Sequence, residues 1–162
     1  MKLVVVGDFH IPERANKIPK KILTFCREAD YVICTGDYTT NSVLEELKKE
    51  NKNIIAVRGN CDFLNLPEYY EFEIKNKRIG VIHSHQFGRG NLSLIRDFAR
   101  AKNLDLLIFG HTHEPFLEEK EIKLLNPGTA TGAVSGIGKK QNKSFAVVEI
   151  NNQISIKIRE LL

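Results

Sequence analysis

The sequence predicts an α/β fold in which two packed β-sheets carry helices on their outer faces. In the first part of the chain, short apolar runs rich in β-branched residues alternate with amphipathic segments, whereas short strands and no helix follow His113. The 162 residues can bury a hydrophobic core, and no linker, repeat or low-complexity segment divides them. We therefore predict a single domain over residues 1–162.

The first half has the pattern of a βαβαβ unit, whose parallel strands are joined by right-handed crossovers. Its predicted strands span residues 2–6, 31–34 and 53–57. A helix is predicted over residues 18–29 from its helical stripe of apolar residues. A second helix runs to Lys49, with Asn41 or Ser42 as its cap and Glu45 placed as in a capping box.

The second half begins with a predicted hairpin, formed by residues 69–74 and 78–83 around a turn at Asn76. A third helix over residues 91–101 leads to an apolar strand over 104–109. Four further strands are predicted over residues 115–118, 122–125, 145–150 and 154–158.

The composition is that of an ordinary globular protein, with 42% apolar and 27% charged residues. The net charge of +4 is mild, and no Lys/Arg run resembles a nucleic-acid-binding tract. Three cysteines without a CxxC pair indicate a reducing compartment and no disulfide framework. No apolar run has the length of a signal peptide or a membrane span. We expect a cytoplasmic protein with no membrane partner.

Side chains of the types that bind metals follow five of the predicted strands, and all five histidines of the chain lie in these clusters. The clusters supply seven candidate ligands: Asp8, His10, Asp37, Asn60, His83, His111 and His113. Ligand sites of open α/β sheets lie at the carboxyl ends of the strands. We therefore predict that these side chains converge on one rim of a sheet, where they hold catalytic metal ions.

The spacing within two clusters supports this prediction. Side chains two apart on a strand point the same way, so Asp8-x-His10 and His111-x-His113 could each hold one ion. Taken alone, each cluster has a plainer interpretation as turn residues or, for His83, as a core histidine. Taken together, the donors make two sites of four protein ligands if Asp37 bridges. This nitrogen and oxygen set without thiolate suits Mn²⁺, Fe²⁺, Zn²⁺ or Ni²⁺ better than Ca²⁺ or Mg²⁺.

The motifs occur in the order D-x-H, G-D, G-N-x-D, H-x-H and G-H-T-H, which resembles the calcineurin-like metallophosphoesterase superfamily over nearly the whole chain. The segment Gly59-Asn60-Cys61-Asp62 is similar to the small YfcE-like phosphodiesterases. Three other stretches resemble the phosphoesterase-like subunit of the eukaryotic retromer coat: residues 7–12, 33–36 and 126–132.

The resemblance implies a four-layer αββα sandwich with a two-metal site. One ion would be held by Asp8, His10, Asp37 and His113. The other would be held by Asp37, Asn60, His83 and His111. Mn²⁺ is the expected ion, with Ni²⁺, Fe²⁺ or Zn²⁺ as alternatives. The implied activity is hydrolysis of small phosphodiesters by a hydroxide that bridges the two ions.

One position departs from the superfamily pattern. Cys61 stands where the superfamily places a histidine that protonates the leaving group, and a thiol is a poorer acid for this task. His85, two residues past His83 on the same strand face, could act instead as acid or substrate contact, or could merely orient His83. The catalytic candidates are therefore Asp37, Asn60 and His85, and we expect diesters to react faster than monoesters. Asp62 is interpreted as a turn carboxylate, with orientation of a catalytic histidine as the alternative.

Two other functions remain open on the sequence alone. The first is a protein-binding scaffold of the retromer-subunit type with weak or no catalysis. The second is a nuclease, which the small size and the lack of a basic, aromatic-interleaved stripe disfavour. Arg58 and Arg89 are expected in surface salt bridges, with a substrate clamp as the alternative. A homodimer is expected from the resemblance only.

Overall fold

The computed structural model describes all 162 residues, which form ten β-strands, three α-helices and one short 3₁₀ helix. The strands are β1 (Lys2–Val6), β2 (Tyr31–Cys34), β3 (Ile54–Ala56), β4 (Tyr69–Ile74), β5 (Lys77–Ile82), β6 (Leu106–Ile108), β7 (Phe116–Glu119), β8 (Lys123–Asn126), β9 (Lys143–Ile150) and β10 (Ile154–Leu161). The helices are α1 (Lys20–Arg27), α2 (Asn41–Glu50) and α3 (Leu92–Ala101), and the 3₁₀ helix spans His85–Phe87.

The strands form two mixed sheets of five strands each. The first sheet has the order β10-β9-β1-β2-β3, in which β1, β2 and β3 are parallel. The second has the order β4-β5-β6-β8-β7, in which β5, β6 and β8 are parallel. The predicted βαβαβ half and the predicted pair of sheets are therefore confirmed.

The two sheets pack face to face through a shared apolar core. Val5 and Ile33 of the first sheet and Val81 and Ile108 of the second belong to one cluster of 14 buried residues. Strand side chains alternate between faces, so the opposite face of each sheet remains to be covered. In the first sheet that face packs against α1 and α2, and in the second sheet it packs against α3. The result is the expected αββα layering.

Two details of the helices differ from the prediction. The first helix starts at Lys20 and ends at Arg27, so it is shorter than expected at both ends. The capping box of the second helix does not form, because Thr40 occupies the N-cap position. Asn41 then lies in the first turn and its Nδ2 donates to Glu45, one turn ahead, at 2.8 Å.

The predicted hairpin is confirmed as β4 and β5, joined by Lys75 and Asn76. Both turn residues have positive φ, as a two-residue type I′ turn requires. None of the helices has the length and apolar character that crossing a membrane would require.

Candidate metal centre

Each candidate ligand lies in a loop directly after a strand. Those after β1, β2 and β3 belong to the first sheet, and those after β5 and β6 belong to the second. The structure brings all seven together: Asp8, His10, Asp37, Asn60, His83, His111 and His113. The prediction of a site on the rim of one sheet was therefore wrong in this respect, because the two packed sheets contribute jointly.

The first group of donors consists of buried side chains: Asp8, His10, Asp37 and His113. The Nε2 atoms of His10 and His113 face each other at 3.0 Å. The Nε2 atom of His10 lies 3.3 Å from Oδ2 of Asp37, and that of His113 lies 3.6 Å from Oδ1 of Asp8. Oδ1 of Asp8 is buried and has no hydrogen-bond partner. An oxygen left in this state is costly unless a cation neutralises it, so the donors fit a metal ion.

The second group consists of Asp37, His83 and His111, whose donor atoms lie within 4.8 Å of one another, as they do in the first group. Nε2 of His83 lies 3.3 Å from Oδ2 of Asp37, the same oxygen that faces His10. It also lies 3.0 Å from Oδ1 of Asn60. Asp37 therefore joins the two groups through one carboxylate oxygen.

Hydrogen bonds on the outer side of two imidazole rings fix which nitrogen faces the centre. Nδ1 of His83 lies 2.8 Å from the carbonyl oxygen of Thr35, and Nδ1 of His113 lies 2.8 Å from that of Ala133. A carbonyl oxygen only accepts, so both Nδ1 atoms carry the donated proton. In the neutral rings, the Nε2 lone pairs then point into the centre, as in metal-binding histidines.

Burial and mutual charge shift the protonation of these groups. Burial raises the pKa of Asp8 to about 6, against the opposing effect of nearby histidines. Burial also disfavours the charged forms of Asp37 and His83. The hydrogen bond between the two side chains and the attraction of their opposite charges outweigh this effect. The pKa of Asp37 therefore falls well below its usual range, and that of His83 rises to about 9. Without metal, a proton is thus held between these two side chains at neutral pH.

Burial lowers the pKa of His10 to about 4, and it does the same for His111, where the charge of His83 adds to the effect. Both rings are therefore neutral at physiological pH. Neutral imidazoles offer a lone pair to a metal without first losing a proton.

The backbone of the ligand loops departs from the predicted geometry. Five of the seven candidates have positive φ: Asp8, His10, Asp37, His111 and His113. Asp8 and His10 do belong to the same group, as predicted, but β1 ends at Val6, so the backbone of the following loop and not strand alternation brings them together. Alternation also fails for the other pair, since His111 belongs to the second group and His113 to the first. Left-handed backbone is unfavourable for most residues, and Asp and His are among those that tolerate it best.

His85 lies beside the second group, but not on a strand as predicted. Ser84 has a φ of +83°, which ends the strand direction and places His85 in the 3₁₀ helix. Its ring centroid lies 5.6 Å from that of His83 and 6.3 Å from that of His111. Its Nδ1 atom is buried without a partner, and burial lowers its pKa together with the charge of His83.

The backbone of Cys61 orients one of the candidate ligands, Asp37. Its N–H donates to Oδ1 of Asp37 at 2.9 Å, which leaves Oδ2 of Asp37 to face both groups. Burial and the charge of Asp37 raise the pKa of the Cys61 thiol to about 11. The thiol is therefore a weak acid at neutral pH, as the sequence analysis expected.

Asp62 has a larger structural role than the sequence indicated. Its Oδ2 accepts hydrogen bonds from the N–H groups of Asp37 at 2.8 Å and Gly59 at 2.7 Å. Its Oδ1 accepts one from Thr39 N–H at 2.9 Å. The turn-carboxylate interpretation holds, but the carboxylate ties together two different ligand loops.

A segment far along the chain braces the first ligand loop. The hydroxyl of Thr129 donates to the carbonyl of Asp8 at 2.8 Å, and that of Thr131 donates to the carbonyl of Phe9 at 2.8 Å. Nδ2 of Asn126 donates to the carbonyl of Gly110 at 3.0 Å, next to the last histidine pair. The sequence analysis assigned no role to these residues, although residues 126–132 stood out as one of the resembling stretches.

Glycines let the loops of Asp37 and Asn60 approach closely. A Cβ on Gly59 would lie 2.1 Å from Oδ1 of Asp37. Gly36 has a φ of +108°, and a Cβ there would lie 2.7 Å from the backbone nitrogen of Gly59. A larger residue at either position would push the two loops apart.

Of the two arginines considered for a clamp, Arg58 forms the expected surface salt bridge, with Glu68 at 2.5 Å. The expectation for Arg89 was wrong. Arg89 has no carboxylate partner, and its guanidinium instead reaches the carbonyls of His111 at 3.3 Å and Thr112 at 3.5 Å.

Residues 1–153 match the calcineurin-like phosphoesterase superfamily domain. The chain belongs to this superfamily. The match covers both sheets up to the end of β9 and therefore includes every ligand loop. The membership that the motif order predicted is confirmed.

Individual members of the superfamily are also similar. A relative described as a probable metallophosphoesterase, from Methanocaldococcus jannaschii, is 39% identical over 160 residues, covering 98% of this chain and 80% of the relative. The crystal structure of wild-type Vps29 complexed with Zn²⁺, from Entamoeba histolytica, is 29% identical with a TM-score of 0.85, covering 99% of each chain. A chain from Streptococcus pneumoniae described as a predicted phosphoesterase is 23% identical with a TM-score of 0.74, covering 98% of this chain and 88% of that one, and shows the fold alone.

Proposed function

We propose that this chain is a phosphodiesterase that uses two divalent metal ions to hydrolyse small phosphodiesters. The observation that carries the proposal is the position of Oδ2 of Asp37, 3.3 Å from Nε2 of His10 and 3.3 Å from Nε2 of His83. One carboxylate oxygen shared by two groups of imidazoles fits a pair of adjacent cations.

The donor sets divide between the two ions. Asp8, His10, Asp37 and His113 would hold one ion. Asp37, Asn60, His83 and His111 would hold the other. We propose Mn²⁺, with Ni²⁺, Fe²⁺ or Zn²⁺ able to occupy the same nitrogen and oxygen donors. When bound, the two ions would activate water for attack on phosphorus and neutralise charge on the phosphoryl oxygens.

The side chains around this centre suggest further roles. Asn60 is exposed, unlike the buried residues of the first group, so its amide can meet the incoming phosphate as well as a metal. His85 lies next to the second group with one ring nitrogen unpartnered, and we propose that it contacts the substrate. Because the Cys61 thiol is a weak acid, the leaving group receives little help with its proton. Diesters with good leaving groups therefore suit this centre better than monoesters.

The proposal also covers the cellular location, the size of the substrate and the oligomeric state. All three cysteines, Cys26, Cys34 and Cys61, are free thiols, which supports our proposal of a cytoplasmic location. We propose a small-molecule substrate rather than nucleic acid, and assembly as a homodimer. Sedimentation of the purified protein checks the dimer, and salt-dependent binding to single-stranded DNA or RNA would revive a nuclease.

The test compares initial rates of the Mn²⁺-loaded protein on a bis-nitrophenyl diester and a nitrophenyl monoester. We expect the diester to react faster, and a faster monoester would contradict the preference. A panel of phosphodiesters that includes cyclic nucleotides then narrows the substrate. Asp37→Ala is the inactive reference, because it removes the oxygen that both groups share.

The similarity to Vps29 supports a second candidate, a scaffold that retains the metal centre without catalysis. Against it stands the full set of ligand candidates, since a scaffold has no need of a shared carboxylate. Metal analysis combined with the diester panel separates the two. Two tightly bound equivalents without turnover on any diester would favour the scaffold.

A further inference from the structure

Two arginines beside the metal centre have no carboxylate partner. Five of the eight arginines form ion pairs with Glu or Asp: Arg27, Arg58, Arg78, Arg96 and Arg100. Arg159 lies over the ring of Phe25 instead. The remaining two are Arg14 and Arg89, and both belong to or contact loops that carry candidate ligands.

Arg14 lies at the end of the loop that follows β1. Its backbone N–H donates to the carbonyl of His10 at 2.8 Å, so it is held one turn beyond that candidate ligand. Its guanidinium Nη1 donates to the carbonyl of Val134 at 3.2 Å. Its charge also acts on the His10 ring and the Cys61 thiol, which places it within electrostatic reach of the centre.

Arg89 approaches from the second sheet. Its Nη1 lies 3.3 Å from the carbonyl of His111, itself a candidate ligand. Its Nη2 would lie 3.2 Å from a Cβ placed on Gly136. Arg89 therefore reaches the same short segment as Arg14, from the side of the other ligand group.

The segment between the two arginines is continuous with the metal centre. Residues 134 and 136 are two apart, so their Cα atoms are separated by at most roughly 7 Å. The preceding residue, Ala133, accepts the hydrogen bond from Nδ1 of His113 at 2.8 Å. Two positive charges thus reach one short segment of the chain, which adjoins the first group of donors.

The chemistry of this pair fits a phosphate. A guanidinium offers five N–H donors in a planar fork, and the carbonyl contacts of Arg14 and Arg89 use only part of this capacity. Both side chains are exposed, so an anion can reach them. The neighbouring carboxylate of Glu114 is bound to Lys139 at 2.5 Å and does not compete for them.

We propose that Arg14 and Arg89 form an anion subsite beside the metal centre, and that the substrates carry a second phosphate joined to the scissile one through a bridging oxygen. The substrate class is then that of diphosphate diesters, such as nucleoside diphosphate derivatives. This inference rests on the proposed function, since the scissile phosphate is taken to lie at the metal centre.

The reaction on such a substrate also accounts for the missing acid at position 61. The oxygen of water forms a bond to the scissile phosphorus while its protons pass to the solvent, and the bond from that phosphorus to the bridging oxygen breaks. The electron pair stays on the bridging oxygen, which leaves as part of the second phosphate. A phosphate is stable as an anion and needs no strong acid to leave, and the arginines neutralise its charge as it departs.

The test is calorimetric binding of methylenediphosphonate and of methylphosphonate to the Mn²⁺-loaded protein. The Arg14→Gln/Arg89→Gln double variant should bind the diphosphonate about tenfold more weakly, as expected for lost charge-assisted hydrogen bonds at an exposed site. Its affinity for the monophosphonate should stay unchanged. The Arg14→Lys/Arg89→Lys variant should recover part of the loss, because charge is retained without the fork.

The matched control is Arg27→Gln/Arg100→Gln, which removes two exposed arginines elsewhere on the surface and should leave both affinities unchanged. An unchanged diphosphonate affinity in the Arg14/Arg89 double variant, or an equal loss for both ligands, would overturn the subsite. The two hypotheses fail separately. Hydrolysis of the nitrophenyl diester with no arginine effect contradicts only the subsite. An arginine effect without hydrolysis of any diester contradicts the proposed function and the substrate class built on it, but leaves the anion subsite.

Discussion

The backbone N–H of Asp37 donates a 2.8 Å hydrogen bond to the side-chain carboxylate of Asp62. The same carboxylate oxygen accepts the N–H of Gly59 at 2.7 Å, so the loops after β2 and β3 are fixed relative to each other. These loops carry the shared carboxylate and the exposed amide of Asn60. The position of the proposed bridging ligand therefore depends on a residue that belongs to neither group of donors.

Asp62→Ala should lower Mn²⁺ affinity by about 10- to 100-fold, as removal of groups that orient metal ligands does elsewhere. Asp62→Asn should give a smaller loss, because its amide oxygen still accepts one or two of the N–H groups. Isothermal titration with Mn²⁺ measures the effect. Asp97→Ala, on the exposed face of α3, is the matched control, and equal affinities in all three variants would contradict the orienting role.

Asp37 and Asp8 should differ in how much metal their loss removes. Asp37→Asn weakens both sites because its oxygen faces both groups, whereas Asp8 belongs to one group only. Elemental analysis after dialysis should therefore find about two Mn²⁺ ions in the wild type, one in Asp8→Asn and fewer than one in Asp37→Asn. One ion remaining in Asp37→Asn would argue against a shared ligand.

Metal binding should strengthen as the pH rises from 7 to 9. The pKa of His83 in the metal-free protein is raised to about 9, so at neutral pH a metal must displace its proton. Binding should weaken further below pH 6. The pKa of Asp8 is raised to about 6, and the protonated acid is a poor ligand. Calorimetry at pH 7.5 in buffers of different ionisation enthalpy should report release of roughly one proton.

The control for that measurement is His83→Gln, which removes the titrating ring and keeps a possible oxygen donor. Proton release at pH 7.5 should then disappear, and the rise in affinity between pH 7 and 9 should flatten. Persistent release in this variant would locate the proton on another group.

Cys61→His should raise turnover of phosphomonoesters. The imidazole supplies an acid with a pKa near neutrality, in place of a thiol whose pKa burial has raised to about 11. Cys61→Ser, which retains the backbone N–H that binds Asp37, should leave monoester rates unchanged. If no monoester reacts faster with the histidine variant, the departure at this position has another cause.

The sequence was sufficient for the fold because the core strands are distinct apolar runs. Val4 and Val32 face the helices, and Val5 and Ile33 face the second sheet. A strand that is buried on both faces is apolar at every position, so its run of β-branched residues differs clearly from the alternating pattern of a surface strand. The candidate ligands were also recognisable, because Asp and His directly after buried strands are uncommon in such numbers.

The local geometry of the centre could not be read from the same pattern. Asp8 and His10 have positive φ in a loop that is hydrogen-bonded to Asp37 and to Thr129, which are far from it in the chain. Side-chain alternation describes a strand, and these residues lie beyond its end. The role of Asp62 was hidden for a related reason, since its partners Asp37 and Thr39 are more than twenty residues away.

The hydrogen bonds from Thr129 and Thr131 to the loop of Asp8 have a consequence for synthesis of the protein. Thr129 and Thr131 support the loop of Asp8 from 121 and 122 residues later in the chain, and β9 pairs with β1 from even further downstream. A nascent chain on the ribosome therefore exposes its first ligands long before their support has been translated. We therefore expect the proposed metal ions to bind tightly only after the C-terminal strands have left the ribosome, late in the maturation of each new molecule.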